Sequence, residues 1–289
     1  MSTELVIGRR TRLAARTALI VLRIVAVAIL VVTALAVLLP FLWMLGVSFK
    51  TPADLFADPT RLWPSDWSVD GYVSIWTDLP FLRLIVNTVV FAGGATLALV
   101  LLDSMAAFAF ARLRFRGRKV LFLIVIATLM VPFQTAIVPV FLLESDLGWL
   151  NTYHGLIIPR MASALGIFMM RQFFMALPME LDEAARIDGA NNWQIFTRVI
   201  LPLSKPALAS LFIIQFVALW NDFLWPLVIS SSLEMRTLPA ALTLFSSSTA
   251  SVDHAALMAG AAISIAPLAA VFLFAQRYFV QGIATSGLK

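Results

Sequence analysis

Residues 180–208 read ELDEAARIDGANNWQIFTRVILPLSKPAL, and this polar segment lies between two long apolar runs. Its most regular feature is a series in which Glu-Ala-Ala is followed by a glycine after three residues. A second group follows that glycine after nine more residues. The members of the series are Glu183, Ala184, Ala185, Gly189, Val199, Leu201 and Pro202. By itself the segment fits either an ordinary amphipathic loop helix or a surface that docks on a soluble partner.

The same segment carries local signals for two short helices joined by a tight turn. Pro178 suits the first turn of a helix, where its missing N–H is not needed. Acidic residues follow in that turn, where the helix dipole favours negative charge, at Glu180, Asp182 and Glu183. Gly189 suits the left-handed position that ends a helix. Asn191 and Gln194 have the spacing of a capping box at the start of a second helix.

The composition of the whole chain excludes a soluble domain. It is 61% hydrophobic and 13% charged with a mean hydropathy of +0.93, whereas soluble domains carry about 25% charged residues. A net charge of +5 and a pI of about 10.1 would indicate nucleic-acid binding in a soluble protein. Here the basic residues flank apolar runs, so membrane topology explains them and no nucleic-acid partner is expected. The chain has no cysteine, which excludes disulfides and thiol chemistry.

Six apolar segments reach the roughly 20 residues that a spanning helix needs. They lie at 18–46, 84–110, 120–143, 155–176, 207–230 and 256–276. The first is too long for the core of a cleaved signal peptide and is predicted to be a spanning helix. The sequence therefore predicts an all-α membrane protein with six transmembrane helices. Prolines inside the spans, which kink helices, are Pro132, Pro139, Pro159, Pro226 and Pro267.

The distribution of Lys and Arg predicts the orientation, because cytoplasmic loops are enriched in both. One set of alternate segments holds fourteen basic residues, whereas the opposite set holds four. That set comprises Arg9, Arg10, Arg12, Arg16, Arg112, Arg114, Arg116, Arg118, Lys119, Arg186, Arg198, Lys205, Arg277 and Lys289. The opposite set holds Lys50, Arg61, Arg83 and Arg236. Both termini and the 177–206 loop are thus predicted to be cytoplasmic.

These expectations divide the chain into four parts. Residues 1–17 form a cytoplasmic segment, and 18–83 hold the first span and an outer loop. Residues 84–277 form a core with the other five spans and the 177–206 loop, and 278–289 form a cytoplasmic tail. The outer loop at 47–83 is rich in Trp, Pro and Asp. We expect it to cap the helix ends at the membrane surface, with contact to a partner as an additional role.

The 180–208 segment closely resembles the EAA-x3-G-x9-I-x-L-P signature of the membrane permeases of bacterial ABC importers. The departure is Val199, which stands where the signature usually has Ile. Three further stretches resemble the carbohydrate-uptake, maltose-type branch. They are 108-FAFARLRFRGRK-119, 219-LWNDFLWPL-227 and 276-QRYFVQGIATSG-287.

The resemblance implies a type I permease fold in which the 177–206 loop, here called the coupling loop, docks into an ATPase. It implies coupling roles for Glu183, Ala184, Ala185, Asp188, Gly189, Leu201 and Pro202. It also implies four kinds of partner: a second homologous permease, a dimer of ABC ATPase subunits, an extracytoplasmic solute-binding protein and a sugar substrate. The chain contains no G-x4-G-K-[ST] P-loop. ATP and Mg are therefore expected on the partner ATPase, and this chain needs no cofactor of its own.

Ionisable residues within spans are costly and mark candidate functional positions. Arg160 and Asp222 fall at similar depth in the outer half, so we expect that they can pair. Either the pair fixes helix packing, or it lines the sugar pathway. The predicted pathway residues are Gln134, Arg160, Trp220, Asn221 and Asp222. Asp103, deeper in the second span, is expected to pack against polar groups, and a direct transport role is the alternative.

Other function classes remain as alternatives. The same kind of permease serves glycerol phosphate or another polyol phosphate. An ion-coupled secondary transporter would usually show more spans and internal repeats. A membrane-embedded enzyme would need paired acids or a nucleophile with a base, and none is evident. His154 and His254 have no ligand partners at metal spacing and are expected to be surface residues.

Overall fold

The computed structural model describes the backbone of residues 2–247 and 253–286 and the side chains of 19–244 and 253–273. Within these ranges every regular element is helical, with a single isolated bridge between Lys50 and Trp67. The α-helices are α1 Ser2–Ser48, α2 Pro52–Ala57, α3 Asp70–Asp78, α4 Phe81–Arg112, α5 Arg118–Ala127, α6 Phe133–Asp146, α7 Tyr153–Ile157, α8 Ala164–Ala176, α9 Glu180–Ile187, α10 Asn192–Gln194, α11 Leu201–Leu203, α12 Lys205–Trp220, α13 Leu224–Ile229, α14 Leu238–Ser247 and α15 His254–Ser286. Short 3₁₀ turns lie at Thr128–Met130, Ile158–Arg160 and Leu233–Met235, and a π-helical segment lies at Ile195–Ile200.

Three of the described helices are long and apolar enough to cross a membrane unbroken, within α1, α4 and α15. Three helix pairs pass the same test together but are bent by more than 40°, giving up to six spans. The all-α architecture with six predicted spans is therefore confirmed, and one predicted span is sharply bent next to one of its prolines, Pro132. The 120–143 span bends by 100° between Met130 and Phe133.

The fourth and fifth predicted spans are also interrupted in their outer halves. Between 155 and 176 the chain runs through α7 and a 3₁₀ turn that contains Pro159, and α8 starts only at Ala164. Ser163 caps α8 by accepting a hydrogen bond from Gly166 N at 3.1 Å. Between 207 and 230 the break falls after Trp220, and α13 starts at Leu224. Local polar and proline residues therefore end helices that hydropathy alone extends.

Helix α4 is the centre of the packing. It contacts α8 and α12 along its length and carries buried residues from Phe81 to Arg112. Near its middle, Phe91 and Ala95 belong to an apolar cluster with Trp220 and Trp225. Further along, Leu99 and Phe108 join a second cluster with the elements of the coupling loop. Within the membrane this packing is stabilised by van der Waals contacts and interhelical hydrogen bonds, because lipid is as apolar as the buried side chains.

The outer loop folds into a cap, defined here as residues 49–80. Lys50 is buried and donates from Nζ to Asp58 O at 3.0 Å. Helix α3 lies against α15 so closely that a Cβ on Gly71 would come within 2.7 Å of the Ala255 carbonyl carbon. The prediction of a cap over helix ends agrees with these contacts, and its position relative to the membrane surface stays a prediction. Aromatic side chains left exposed on the cap are Phe56, Trp63, Trp67 and Trp76.

Candidate functional site

The coupling loop turns sharply away from the two helices that hold it. Helix α9 is bent by 77° from α8, and the segment Asn192–Leu203 is bent by 79° from α12. Both short arms therefore run across the end of the bundle rather than along it. The arrangement presents α9 and the following turn as a projection at that end.

The turn between the arms has the geometry that the sequence predicts. Gly189 has a φ of +83°, in the left-handed region that favours glycine. Asn191 and Gln194 form a capping box, with hydrogen bonds of 2.9 Å and 2.8 Å between each side chain and the other's backbone N–H. The expectation for Pro178 is wrong, because α9 starts at Glu180 after Met179, so that Pro178 lies just outside the first turn.

The predicted coupling residues divide between an outer and an inner face. The exposed ones are Glu183, Ala184, Asp188, Gly189 and Pro202. Ala185 and Leu201 are instead partly buried against the second apolar cluster. Ile187 is 86% exposed at the end of α9, an unusual position for a large apolar side chain in water. The outer face thus combines acidic, small and apolar groups at the tip of the projection.

An ion pair that the sequence reasoning missed holds α9 to α4. Asp182 is fully buried, and its Oδ2 lies 3.7 Å from Nε of Arg112, the last residue of α4. Arg112 also donates from Nη2 to Leu177 O at 2.9 Å and contacts the Met179 sulfur. Burial raises the pKa of Asp182, and the nearby Arg112 and Arg186 charges oppose that rise. In the sequence Arg112 is one of several basic residues that indicate a cytoplasmic loop. Its pairing with Asp182 could not be predicted, because the two residues are about 70 positions apart in the chain.

The second candidate site lies at the broken outer halves of the middle spans. Arg160 Nη2 donates to Asp222 Oδ2 at 2.8 Å, so the predicted pair forms. The Arg160 guanidinium also lies 4.2 Å from the centroid of the Phe133 ring, in a cation–π contact. Both charged side chains remain partly exposed. Whether they carry solute stays a prediction.

A cavity of about 640 Å³ opens beside this pair. Its polar lining includes Arg160, Ser163 and Gln215, and its apolar lining includes Phe133 and Leu219. Gln215 donates from Nε2 to Ser163 Oγ at 3.2 Å. Ser163, Gln215 and Phe133 were not singled out in the sequence, because single uncharged residues in spans carry no distinctive signal.

Asp103 stands behind the cavity and is fully buried. Its Oδ1 accepts a hydrogen bond from Ser163 N at 3.0 Å, at the start of α8. The expectation that it packs against polar groups of a neighbouring helix is therefore confirmed. A Cβ on Gly166 would overlap its Oδ2, which shows how closely α4 approaches α8.

The remaining predicted pathway residues do not gather at this cavity. Trp220 is 1% exposed and donates its indole N–H to Ser264 O at 3.1 Å, so it is part of the packing between α12 and α15. Asn221 lines a different cavity of about 400 Å³ with residues of α14 and α15. Gln134 is exposed on α6, next to Phe133. The sequence places residues in a span but does not determine which way they face.

His154 and His254 are exposed, as expected.

Comparison with known proteins agrees with this geometry. Residues 100–285 match the family described as the binding-protein-dependent transport system inner membrane component. The chain is 34% identical over 253 residues to the diacetylchitobiose uptake system permease protein of Streptomyces coelicolor, covering 86% of this chain and 83% of that protein. It is 35% identical to the arabinooligosaccharides transport system permease protein of Halalkalibacterium halodurans, covering 86% and 90%. It is 36% identical to the sn-glycerol-3-phosphate transport system permease protein of Yersinia enterocolitica, covering 89% and 94%.

Solved structures show the same fold. A bacterial ABC transporter involved in the import of the acidic polysaccharide alginate matches with a TM-score of 0.80 and 27% identity, over 90% of this chain and 96% of that chain. A structure of the bacterial alginate ABC transporter in complex with an alginate pentasaccharide-bound periplasmic protein matches with a TM-score of 0.62. At 18% identity that second likeness concerns the fold alone. This chain belongs to the family of inner-membrane permease components of binding-protein-dependent ABC transport systems.

Proposed function

We propose that this permease carries a neutral sugar or oligosaccharide into the cell, driven by ATP hydrolysis on separate subunits. The observation that supports coupling to ATP hydrolysis is the coupling loop, which projects from the end of the bundle with most of its signature residues on the outer face. In this proposal α9 enters a groove on an ABC ATPase dimer that binds ATP and Mg. A second permease completes the channel, and an extracytoplasmic binding protein delivers the solute.

The proposed orientation follows from the charge bias in the sequence. In this proposal the chain lies in the inner membrane, with both termini and the coupling loop on the cytoplasmic side. The cap then lies on the outer side, where the solute arrives. The chain has no ATPase site of its own, and its part is to convert a movement of α9 into a change of access to the cavity.

The charges around the cavity favour a neutral solute over an anionic one. The Arg160 charge already faces Asp222 at 2.8 Å. The partial positive charge at the start of α8 already faces Asp103, which accepts from Ser163 N. An anion would therefore meet two acidic side chains beside the basic group. The Phe133 ring and the amide and hydroxyl of Gln215 and Ser163, which all line the cavity, suit the apolar and polar faces of a sugar ring.

A glycerol phosphate or another polyol phosphate is the alternative substrate, because one of the relatives is a glycerol-3-phosphate permease. A direct binding measurement on the assembled transporter, without its solute-binding protein, separates the two. The probes are a neutral trisaccharide and a trisaccharide of uronic acids. We expect the wild-type complex to prefer the neutral probe.

The decisive variant is Asp222→Asn, which leaves Arg160 uncompensated. We expect the anionic-to-neutral affinity ratio to rise about tenfold, since a freed charge beside an anion contributes about 1–4 kcal/mol. Asp146→Asn, an exposed acid on α6, serves as the matched control and should leave the ratio unchanged. A wild-type complex that prefers the uronic-acid probe would contradict the assignment.

The importer mechanism has its own test in proteoliposomes. Uptake should require ATP and the ATPase subunits, and Gly189→Trp in the coupling loop should abolish it. Uptake that an ion gradient drives without ATPase subunits would instead indicate a secondary transporter.

A further inference from the structure

The Arg112 side chain makes three separate contacts with the start of the coupling loop. It reaches Leu177 O, the Met179 sulfur and the Asp182 carboxylate. These positions extend from the end of α8 into the first turn of α9, immediately before Glu-Ala-Ala. We call the Arg112 contacts with Asp182, Leu177 and Met179 the α4–α9 clamp.

The clamp lies on the inner face of α9, away from the surface that faces a partner. The side chains of Arg112 and Asp182 are 1% and 0% exposed. Neither Asp182 oxygen has a hydrogen-bond partner within the described part of the chain, so Arg112 is the nearest compensation for its buried charge. Burial makes an uncompensated charge costly. Asp182 and Arg112 are therefore held together more firmly than an exposed pair would be.

Helix α4 links the clamp to the solute cavity. Leu99, which lines that cavity, lies on the same unbroken helix as Arg112, about 20 Å away along the axis at about 1.5 Å per residue. The same helix carries Asp103, which holds the start of α8 beside Ser163. A displacement of α9 that moves Arg112 therefore acts on a rigid element that reaches the cavity wall.

We propose that Arg112 and Asp182 are positioning residues that make α9 and α4 move as one body, so that movement of the coupling helix reaches the solute cavity. This inference rests on the proposed ATP-driven import. The covalent connections through α8 and the π-helical segment give two other routes. The clamp adds a third, directly to the helix at the centre of the packing.

The test uses the complete reconstituted transporter and compares solute imported with ATP hydrolysed. We expect Asp182→Asn to lower the solute imported per ATP about tenfold, within the range usual for couplings between sites, while ATP hydrolysis persists. Arg112→Gln should act similarly, and Arg112→Lys, which keeps the charge, should restore part of the coupling. Arg116→Gln, which removes an exposed arginine in the turn after α4, is the matched control. Unchanged import per ATP in Asp182→Asn would overturn the proposal.

A distance measurement keeps the proposal testable if a variant loses transport altogether. The chain has no cysteine, so cysteines placed at the exposed Met105 of α4 and Ile187 of α9 accept spin labels alone. In the wild-type complex the distance between labels should be the same in the nucleotide-free and the vanadate-trapped states. In Asp182→Asn it should change between the states. A wild-type distance that changes to the same extent would contradict the clamp, whereas a wild-type complex without ATP-dependent uptake would contradict the proposed function instead.

Discussion

At the scale of single residues, Gly189 determines how the chain leaves the coupling helix. Its φ of +83° costs other L-residues energy, and Ala190 N donates to Ala185 O at 2.9 Å across the same turn. The turn was predictable because its signals are local: a glycine, a capping asparagine and a glutamine within six positions. The Arg112–Asp182 pair was not predictable, because nothing local indicates which buried acid a distant arginine meets.

Replacing Gly189 tests this backbone requirement separately from steric fit. A Cβ there would meet no other group within 4 Å, so Gly189→Ala should cost only the left-handed conformation, about 1–2 kcal/mol. Gly189→Asn should cost less, because asparagine tolerates that region. The midpoint of thermal unfolding of the purified complex measures both. Equal midpoints for the Ala variant and the wild type would contradict the argument.

Asp54 gives the cap a dependence on pH. Hydrogen bonds from the Ser65 amide and hydroxyl, both at 2.9 Å, hold the pKa of Asp54 below its ordinary value of 3.8. A carboxyl with a lowered pKa supports the fold above its unfolded pKa and loses that support as the pH falls through the folded value. We therefore expect the cap to be equally protected at all pH values well above 4 and to loosen in stronger acid.

Hydrogen exchange at the Ser65 amide, corrected for intrinsic rates, measures this effect. Asp54→Ala should exchange faster than the wild type at neutral pH, and the difference should shrink once Asp54 is protonated. Asp66→Ala, a nearby acid in the same loop, is the control. A difference that persists undiminished in strong acid would show that the carboxylate charge is not involved.

At the scale of helices, the main discrepancy between sequence and structure is in the middle spans. Hydropathy measures how apolar a window is, and it does not register the direction of the chain. The breaks at Pro132, Ser163 and Asn221 lie within windows that stay apolar throughout. These breaks bring Arg160, Ser163 and Gln215 to one cavity, so the features that hydropathy misses are the ones that build the candidate site.

The close approach of α4 and α8 provides a test at this scale. In Gly166→Ala the new methyl group would overlap Asp103 Oδ2 and lie 3.0 Å from its Cγ. The buried carboxyl would have to move, at a cost of about 1–3 kcal/mol typical of overpacking. Thermal unfolding of the complex should show a lower midpoint.

Gly93→Ala on α4 is the matched control, since a Cβ there meets nothing within 4 Å. Its expected effect is neutral or slightly stabilising, by up to about 1 kcal/mol, because alanine favours a helix interior more than glycine does. Similar losses for both variants would mean that helix propensity, and not the contact with Asp103, decides the outcome.

At the scale of the whole molecule, composition and the lengths of the apolar segments predicted the all-α architecture, and the family signature predicted the projecting loop. The sequence could not predict which neighbours Trp220 and Asn221 face, because the rotation of each helix about its axis depends on contacts with helices that are distant in the chain. The described part of α1 from Leu19 to Leu42 is exposed along its length, which is expected of a helix that meets lipid or another subunit. The Asp222→Asn binding experiment belongs to this scale, because the charges near the cavity come from distant parts of the chain. Arg160 pairs with Asp222, and Asp103 of α4 faces the start of α8.

The π-helical turn at Ile195–Ile200 gives the spacing of the signature a geometric meaning. A π-turn holds one residue more than an α-turn, and each residue of a helix turns its direction by about 100°. Because the π-turn takes up one extra residue within a single turn, removing one residue from it would give an ordinary α-turn and leave the direction of the residues beyond it nearly unchanged. Removing one residue from an ordinary α-turn would instead rotate everything beyond it by roughly that angle. Within the nine-residue interval, the π-helical turn is therefore the place where a deletion of one residue should least disturb the facing of Gln215 toward the cavity.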